Sequence, residues 1–199
     1  MALVSLVLAA GNASRFGSSK QLINIDGQTL LNRAVEAFNM ITPERVVVVL
    51  GARFEDIYPT VNGAYHCVYA SNWQQGMSAS IASGMEYALT EFGAKMTHVA
   101  IGLGDQINIR SNNIAKLQTL SQGNQASIIA AKYNNNYGAP AIFPAQYFKS
   151  LMALKGLQGA KSVISQNVNN MMSVDMPEAL FDIDTIAQLE QWRKCQNNE

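Results

Sequence analysis

The chain has 199 residues, of which 48% are apolar and 14% charged, and its 14 basic and 14 acidic side chains give a formal net charge of zero. Such a chain can bury a sizeable core and is not a disordered one, and its balanced charge excludes a nucleic-acid coat or an acidic-membrane binder, both of which need a basic surplus. Cys67 and Cys195 make neither a disulfide framework nor a metal spacing, and no apolar run approaches the ~20 residues of a membrane span. The expectation is one domain over residues 1–199, cytoplasmic, with neither nucleic acid nor membrane as a partner.

Apolar runs alternate with segments of helical period, the pattern of repeated βαβ units. The run from Ala2 to Ala10 has strand length and is rich in Val and Leu, as a central parallel strand should be. It stops at Gly11, and a small polar loop follows with Asn12, Ser14, Arg15, Gly17 and Lys20. Glycine at the carboxyl end of such a strand lets the backbone turn and approach a ligand, and successive loop N–H groups form an anion-binding concavity. Arg15 and Lys20 add positive charge there, so the loop is expected to cradle a triphosphate. It has neither the G-x-G-x-x-G nor the G-x-x-x-x-G-K-[ST] spacing. The run also imitates a secretory signal, but no Lys or Arg precedes it and it is short for a signal core.

Further along, Asp26-Gly27 is a turn pair, and Thr29 can cap a helix to about Met40 with Leu30, Ala34, Ala37 and Phe38 inward. Arg45 to Leu50 is a second buried strand, and Gly51-Ala52-Arg53 leads into a helix with Phe54, Ile57 and Val61 inward. Tyr65 to Tyr69 is a third strand. The segment Asn72 to Ser80 then enters a helix with Ser78 as cap and Gly76 in the turn. Thr97 to Leu103 is the fourth strand, ending in Gly104-Asp105-Gln106, and Ser111 to Leu120 is a helix. Ser127 to Tyr133 and Ala139 to Phe143 read as an antiparallel pair turning at Asn134 to Asn136. Short helices follow near Ala145 to Leu154 and Gly159 to Gln166, then Phe181 to Thr185 and a terminal helix with Ile186, Leu189 and Trp192 inward.

Ligands of open α/β sheets bind beyond the carboxyl ends of the strands, which is where the cradle, Asp105 and the pair Asp182/Asp184 fall. Asp105 directly follows an apolar strand, where a carboxylate is desolvated unless paired or metal-bound. Asp182 and Asp184 alternate with Phe181 and Ile183, so an extended segment points both to one face, and neighbouring carboxylates suit a magnesium ion shared with substrate phosphates. The structural alternatives are a helix N-cap at Asp184-Thr185 and a simple turn at Gly104-Asp105. His66 and His98 start strands at the opposite end and read as structural, Cys67 as a small core side chain, and Trp73 and Met77 as core or ligand wall.

The string L-A-A-G-x-x-S-R-x-G-x-x-K resembles the nucleotide-binding signature of the MobA-like NTP transferase family, and the double alanine resembles its molybdenum cofactor cytidylyltransferase branch. The resemblance extends, in order, over Trp73 to Ser80, Leu103 to Gln106, Gly138-Ala139-Pro140, Gly159-Ala160-Lys161 and Asp182 to Thr185. It implies a Rossmann-like three-layer nucleotidyltransferase fold of the nucleotide-diphospho-sugar transferase, GT-A-like type, with a mostly parallel central sheet. It implies nucleotide binding by Leu8, Ala9, Ala10, Gly11, Asn12, Ser14, Arg15, Gly17, Lys20, Gly76, Ser80 and Gly104, with catalysis by Lys20, Arg15 and Asp105. Acceptor binding falls to Trp73, Met77, Gln106, Gly138 and Pro140, and Mg2+ to Asp105 and Asp184. The chain departs from the family pattern at Ala70-Ser71, Ile107, Leu157-Gln158 and Lys161, all on the acceptor side.

The function so implied is transfer of CMP from CTP, or of another nucleoside monophosphate from its NTP, to a phosphorylated acceptor of molybdopterin type, with release of pyrophosphate and with a molybdoenzyme as a further partner. Two alternatives stand beside it. One is a nucleotidyltransferase for a sugar or alcohol phosphate, and the other a non-catalytic nucleotide- or cofactor-binding chaperone for a molybdoenzyme. A dinucleotide-dependent oxidoreductase lacks its glycine spacing.

Overall fold

Every residue of β1 (Leu3–Ala9) is buried, because it runs through the middle of the sheet with a parallel neighbour on each side, β4 (Val46–Leu50) and β6 (His98–Leu103). The computed structural model describes residues 1–12, 16, 19–61, 63, 65–183 and 185–196. Its main sheet has seven strands in the order β5-β4-β1-β6-β8-β7-β9, where β5 is His66–Tyr69, β7 Ile128–Tyr133, β8 Asn136–Pro144 and β9 Met171–Asp175. β8 is antiparallel to both β6 and β7, and the other pairings are parallel. A small hairpin of β2 (Asn24–Ile25) and β3 (Gln28–Thr29) stands apart from it.

Parallel neighbours need crossovers, and the helices cover both faces. Val4, Leu6 and Leu8 of β1 pack in one layer with Ile81 and Met85 of α3 (Met77–Phe92), together with α5 (Phe148–Met152) and α6 (Ala160–Gln166). Leu3, Val7 and Ala9 point the other way, onto α1 (Leu30–Asn39) and α4 (Ser111–Gly123). This alternation explains why β1 is apolar at all positions but one. Its one polar residue, Ser5, shares a 2.8 Å hydrogen bond with the Thr42 hydroxyl. A third cluster joins Phe16, Leu30 and Ile107 to Ile183, Leu189 and Trp192, bringing the tail and α7 (Ile186–Gln196) back to the end of β6. There the Trp192 indole N–H donates to Asn108 Oδ1 at 2.7 Å.

Thr29 caps α1 as expected, its hydroxyl accepting from the Asn32 N–H. Other elements depart from expectation. The N-cap of α3 is Gly76, and Ser78 lies inside the helix with its hydroxyl donating to the Gly156 carbonyl at 2.8 Å. The helix expected to reach Val61 is α2 (Phe54–Ile57), followed by a tight turn over Tyr58–Thr60, since Pro59 has no N–H to extend an α-helix. α4 continues to Gly123, and β8 begins at Asn136. β9 was not expected at all: it is half-exposed and has no continuous apolar run to announce it. His66 and His98 open β5 and β6, away from the carboxyl ends. Both cysteines are free thiols, and no described helix is long and apolar enough to cross a membrane.

Candidate active site

The carboxyl ends of β1 and β6 lie side by side, with Leu8 in register with Leu103. Beyond them the Gly104 N–H donates to the Leu8 carbonyl at 2.9 Å. A Cβ on Gly104 would stand 3.1 Å from the Ala9 Cβ and 3.0 Å from Leu31, so glycine permits this close approach. Between these strand ends and the start of α3 opens a cleft of about 470 Å³, within the range of about 300–1,000 Å³ usual for small-ligand sites. Leu8, Ala9, Ala10, Gly11, Asn12, Lys20, Gly76, Ser80, Gly104 and Asp105 all line it, as do Trp73 and Met77. Ser14, Arg15, Gly17 and Asp184 lie outside the described residues.

The two charged groups among its described lining residues belong together. Lys20 Nζ donates to Asp105 Oδ2 at 2.6 Å across 85 positions of sequence, with the side chains only 13% and 25% exposed. Asp105 Oδ1 is buried and has no hydrogen-bond partner among the described residues. Such an oxygen is costly to keep out of water, and a divalent cation would satisfy it, so the donor chemistry fits a metal at Asp105. Among the described residues no cluster of three or more His, Cys, Asp or Glu could hold a metal by itself. A cation here would be held by Asp105 together with ligand phosphates, the usual situation for magnesium.

Gln21 was not expected at the site. Its buried amide N–H donates to the carbonyls of Ala9 (3.1 Å) and Gly11 (3.2 Å), fastening the glycine loop to the end of β1. Gln74, Leu103 and Leu157 also line the cleft unannounced. The only signal for Leu157 was its place in the Leu157-Gln158 pair, where the chain departs from the family pattern.

The Asp182 segment does reach this rim. Asp182 forms an antiparallel bridge with Gln106, and the Ile183 N–H points at the Asp105 carbonyl at 3.4 Å. The Tyr133 hydroxyl pKa is raised, first by burial and then by the Asp182 charge. Gln106, Gly138 and Pro140, expected at the acceptor, do not line the cleft. The Gln106 amide is taken up by the carbonyls of Ala139 (3.1 Å) and Ala179 (3.0 Å). Gly138 lies against the Tyr133 hydroxyl with no space for a Cβ.

Known proteins resemble this chain in sequence or fold. Nicotine blue oxidoreductase of Paenarthrobacter nicotinovorans is 25% identical over 94% of this chain and 94% of its own. Rv0371c of Mycobacterium tuberculosis is 21% identical over 96% of each chain with a TM-score of 0.80, and its manganese complex superposes with a TM-score of 0.72. A CMP:2-keto-3-deoxy-manno-octonic acid synthetase solved with CTP is 13% identical, with 100% of this chain and 99% of that one covered and a TM-score of 0.70. The model of the MobA-like NTP transferase domain matches residues 5–171, most of the chain, and the chain belongs to that family.

Proposed function

We propose that this chain moves a nucleoside monophosphate, CMP from CTP, onto a phosphorylated acceptor of molybdopterin type and releases pyrophosphate. The observation that carries the proposal is the Lys20–Asp105 pair with its unsatisfied carboxylate oxygen, set at the rim of a cleft floored by the L-A-A-G loop. CTP in a protein of the same fold supports the choice of nucleotide, and manganese in another supports a divalent cation.

An oxygen of the acceptor phosphate attacks the α-phosphorus, the new P–O bond forms, and the bond to the β-phosphate breaks in line. The acceptor is already ionised near neutral pH, so no general base is required. Positioning and charge stabilisation remain as the work of the protein. Lys20 offsets charge on the polyphosphate, and Asp105 would hold Mg2+, which would supply positive charge to the phosphate oxygens. Gln21 keeps the strand-end carbonyls in place so that the loop meets the nucleotide preorganised. Arg15 and Asp184 are assigned the second phosphate-binding cation and a further metal ligand.

Pyrophosphate release measured with each of the four nucleoside triphosphates, magnesium and a molybdopterin or sugar-phosphate acceptor tests the proposal. A preference for CTP with the molybdopterin acceptor is expected. GTP or UTP preference, or use of a sugar phosphate, overturns the finer assignment, and CTP binding with no turnover on any acceptor favours a chaperone. A second reading is a redox activity, as in the relative nicotine blue oxidoreductase; turnover of nicotine blue without pyrophosphate release would install it instead.

A further inference from the structure

The wall of the cleft facing the strand ends is built by the start of α3 and by a tight turn over residues 155–158. That turn is internally closed: the Lys155 N–H donates to Gln158 Oε1 and the Gln158 N–H to the Lys155 carbonyl, each at 3.2 Å. At its tip Gly156 takes a left-handed φ of 59°. The Gly156 carbonyl is gripped by the Ser78 N–H at 3.3 Å and the Ser78 hydroxyl at 2.8 Å. Gly76, at φ 106°, has no room for a Cβ against that carbonyl, and a Cβ on Gly159 would stand 2.6 Å from Met77 Sδ. The turn is thus pinned to α3 on two sides.

The pinned turn holds Leu157 out at the mouth of the cleft, 89% exposed. A lone exposed leucine means nothing. This one shares the cleft with Met77, itself 42% exposed, and with the ring of Trp73. Gln74 and Ser80 also line this side, and the charged groups among the described lining residues are Lys20 and Asp105, at the strand-end rim. A charged or heavily hydroxylated ligand body would lose its water at the Leu157 end without regaining hydrogen bonds. An apolar ring face would bury area against all three side chains.

We infer that the Leu157 turn is the acceptor-selecting lip of this site, and that it takes a phosphate compound whose body offers a flat, uncharged, apolar face to Trp73, Met77 and Leu157. This rests on the nucleotidyl-transfer reading for the phosphate end, and on the cleft alone for the apolar end. Leu157 is a specificity-determining residue by this account and takes no part in the chemistry. Its exposure means that Leu157→Asp leaves the fold undisturbed.

The experiment is calorimetric titration of the full chain with naphthyl phosphate and with glycerol phosphate, with and without saturating CTP and magnesium, in wild type and Leu157→Asp. Naphthyl phosphate is expected to bind at least tenfold more tightly than glycerol phosphate, and Leu157→Asp to remove about a tenfold part of that preference. CTP affinity is expected to be equal in both proteins. Equal binding of the two phosphates, or no effect of Leu157→Asp, overturns the inference. So does a dimer in sedimentation that Leu157→Asp dissociates without altering naphthyl phosphate binding. Leu157-dependent binding of naphthyl phosphate by a protein that does not bind CTP sustains the lip and sinks the nucleotide reading.

Discussion

The two ends of the cleft are built on opposite physical lines. At the strand-end rim, a lysine and an aspartate from distant parts of the chain meet at 2.6 Å, mostly out of water, with one carboxylate oxygen left for a further partner. At the far end Trp73, Met77 and Leu157 are apolar, and Leu157 stands in solvent on a turn whose Gly156 carbonyl is held by Ser78. Charge in a partly desolvated site acts strongly and must be placed accurately; apolar contact is weaker and more forgiving, and so suits selection between acceptors. The difference teaches that chemistry and specificity are separable here.

The largest effect is expected from the charged end. Asp105→Asn should lower turnover about a thousandfold, measured as pyrophosphate release, with an unchanged far-ultraviolet circular dichroism spectrum. Lys20→Ala should cost about a hundredfold and weaken triphosphate binding. Because the two residues touch, the double variant should fall well short of the product of the single effects. Simple multiplication would break the claim that they act as a unit. Lys20→Ala combined with Leu157→Asp should, by contrast, be additive within about 0.5 kcal/mol, since the ends share no partner.

Gly76→Ala probes the apolar end through the backbone. The left-handed φ and the contact with the Gly156 carbonyl predict a loss of about 1–3 kcal/mol in thermal unfolding, together with weaker naphthyl phosphate binding. Retained binding would show that the turn does not depend on its clamp.

A smaller effect is expected at the pole of the sheet away from the cleft. His98 is buried, with Nε2–H donating to the Gln125 carbonyl at 3.1 Å and Nδ1 accepting from the Thr97 hydroxyl at 2.9 Å, which suits the neutral ring. Burial lowers its pKa. The unfolded chain therefore takes up the proton first as pH falls, and stability should drop below about pH 6.5 down to the folded-state pKa. The thermal midpoint of His98→Gln should lose that part of the pH slope while the kinetics at neutral pH stay unchanged. The smallest effect belongs to Leu157→Met, which keeps an apolar lip and should alter acceptor affinity less than threefold.

Much of this molecule was legible beforehand, for reasons that differ between elements. β1, β4 and β6 are buried on both faces, so their sequences are almost entirely apolar and are followed by glycine where the rim begins. α1 has a threonine cap and an apolar face of helical spacing. β9 escaped because an outer, half-exposed strand carries no such run. The Gly76 cap escaped because serine is the commoner cap and Ser78 stood close by; it is the Gly156 carbonyl, far along the chain, that claims the serine. Gln106 looked like a ligand-binding residue beside Asp105, yet its amide ties β6 to β8 and to the turn before Phe181.

The sequence by itself determined the parallel core, the glycine loop at its edge and the kind of side chains available there, because these depend on local pattern and on burial averaged along a strand. Only the tertiary structure decided that Lys20 would reach Asp105, that Gln21 would fasten the loop and that Leu157 would front Met77 and Trp73. Those meetings depend on strand order and on which loops the helices bring together. Residues 85 positions apart leave no periodic mark on one another in the chain.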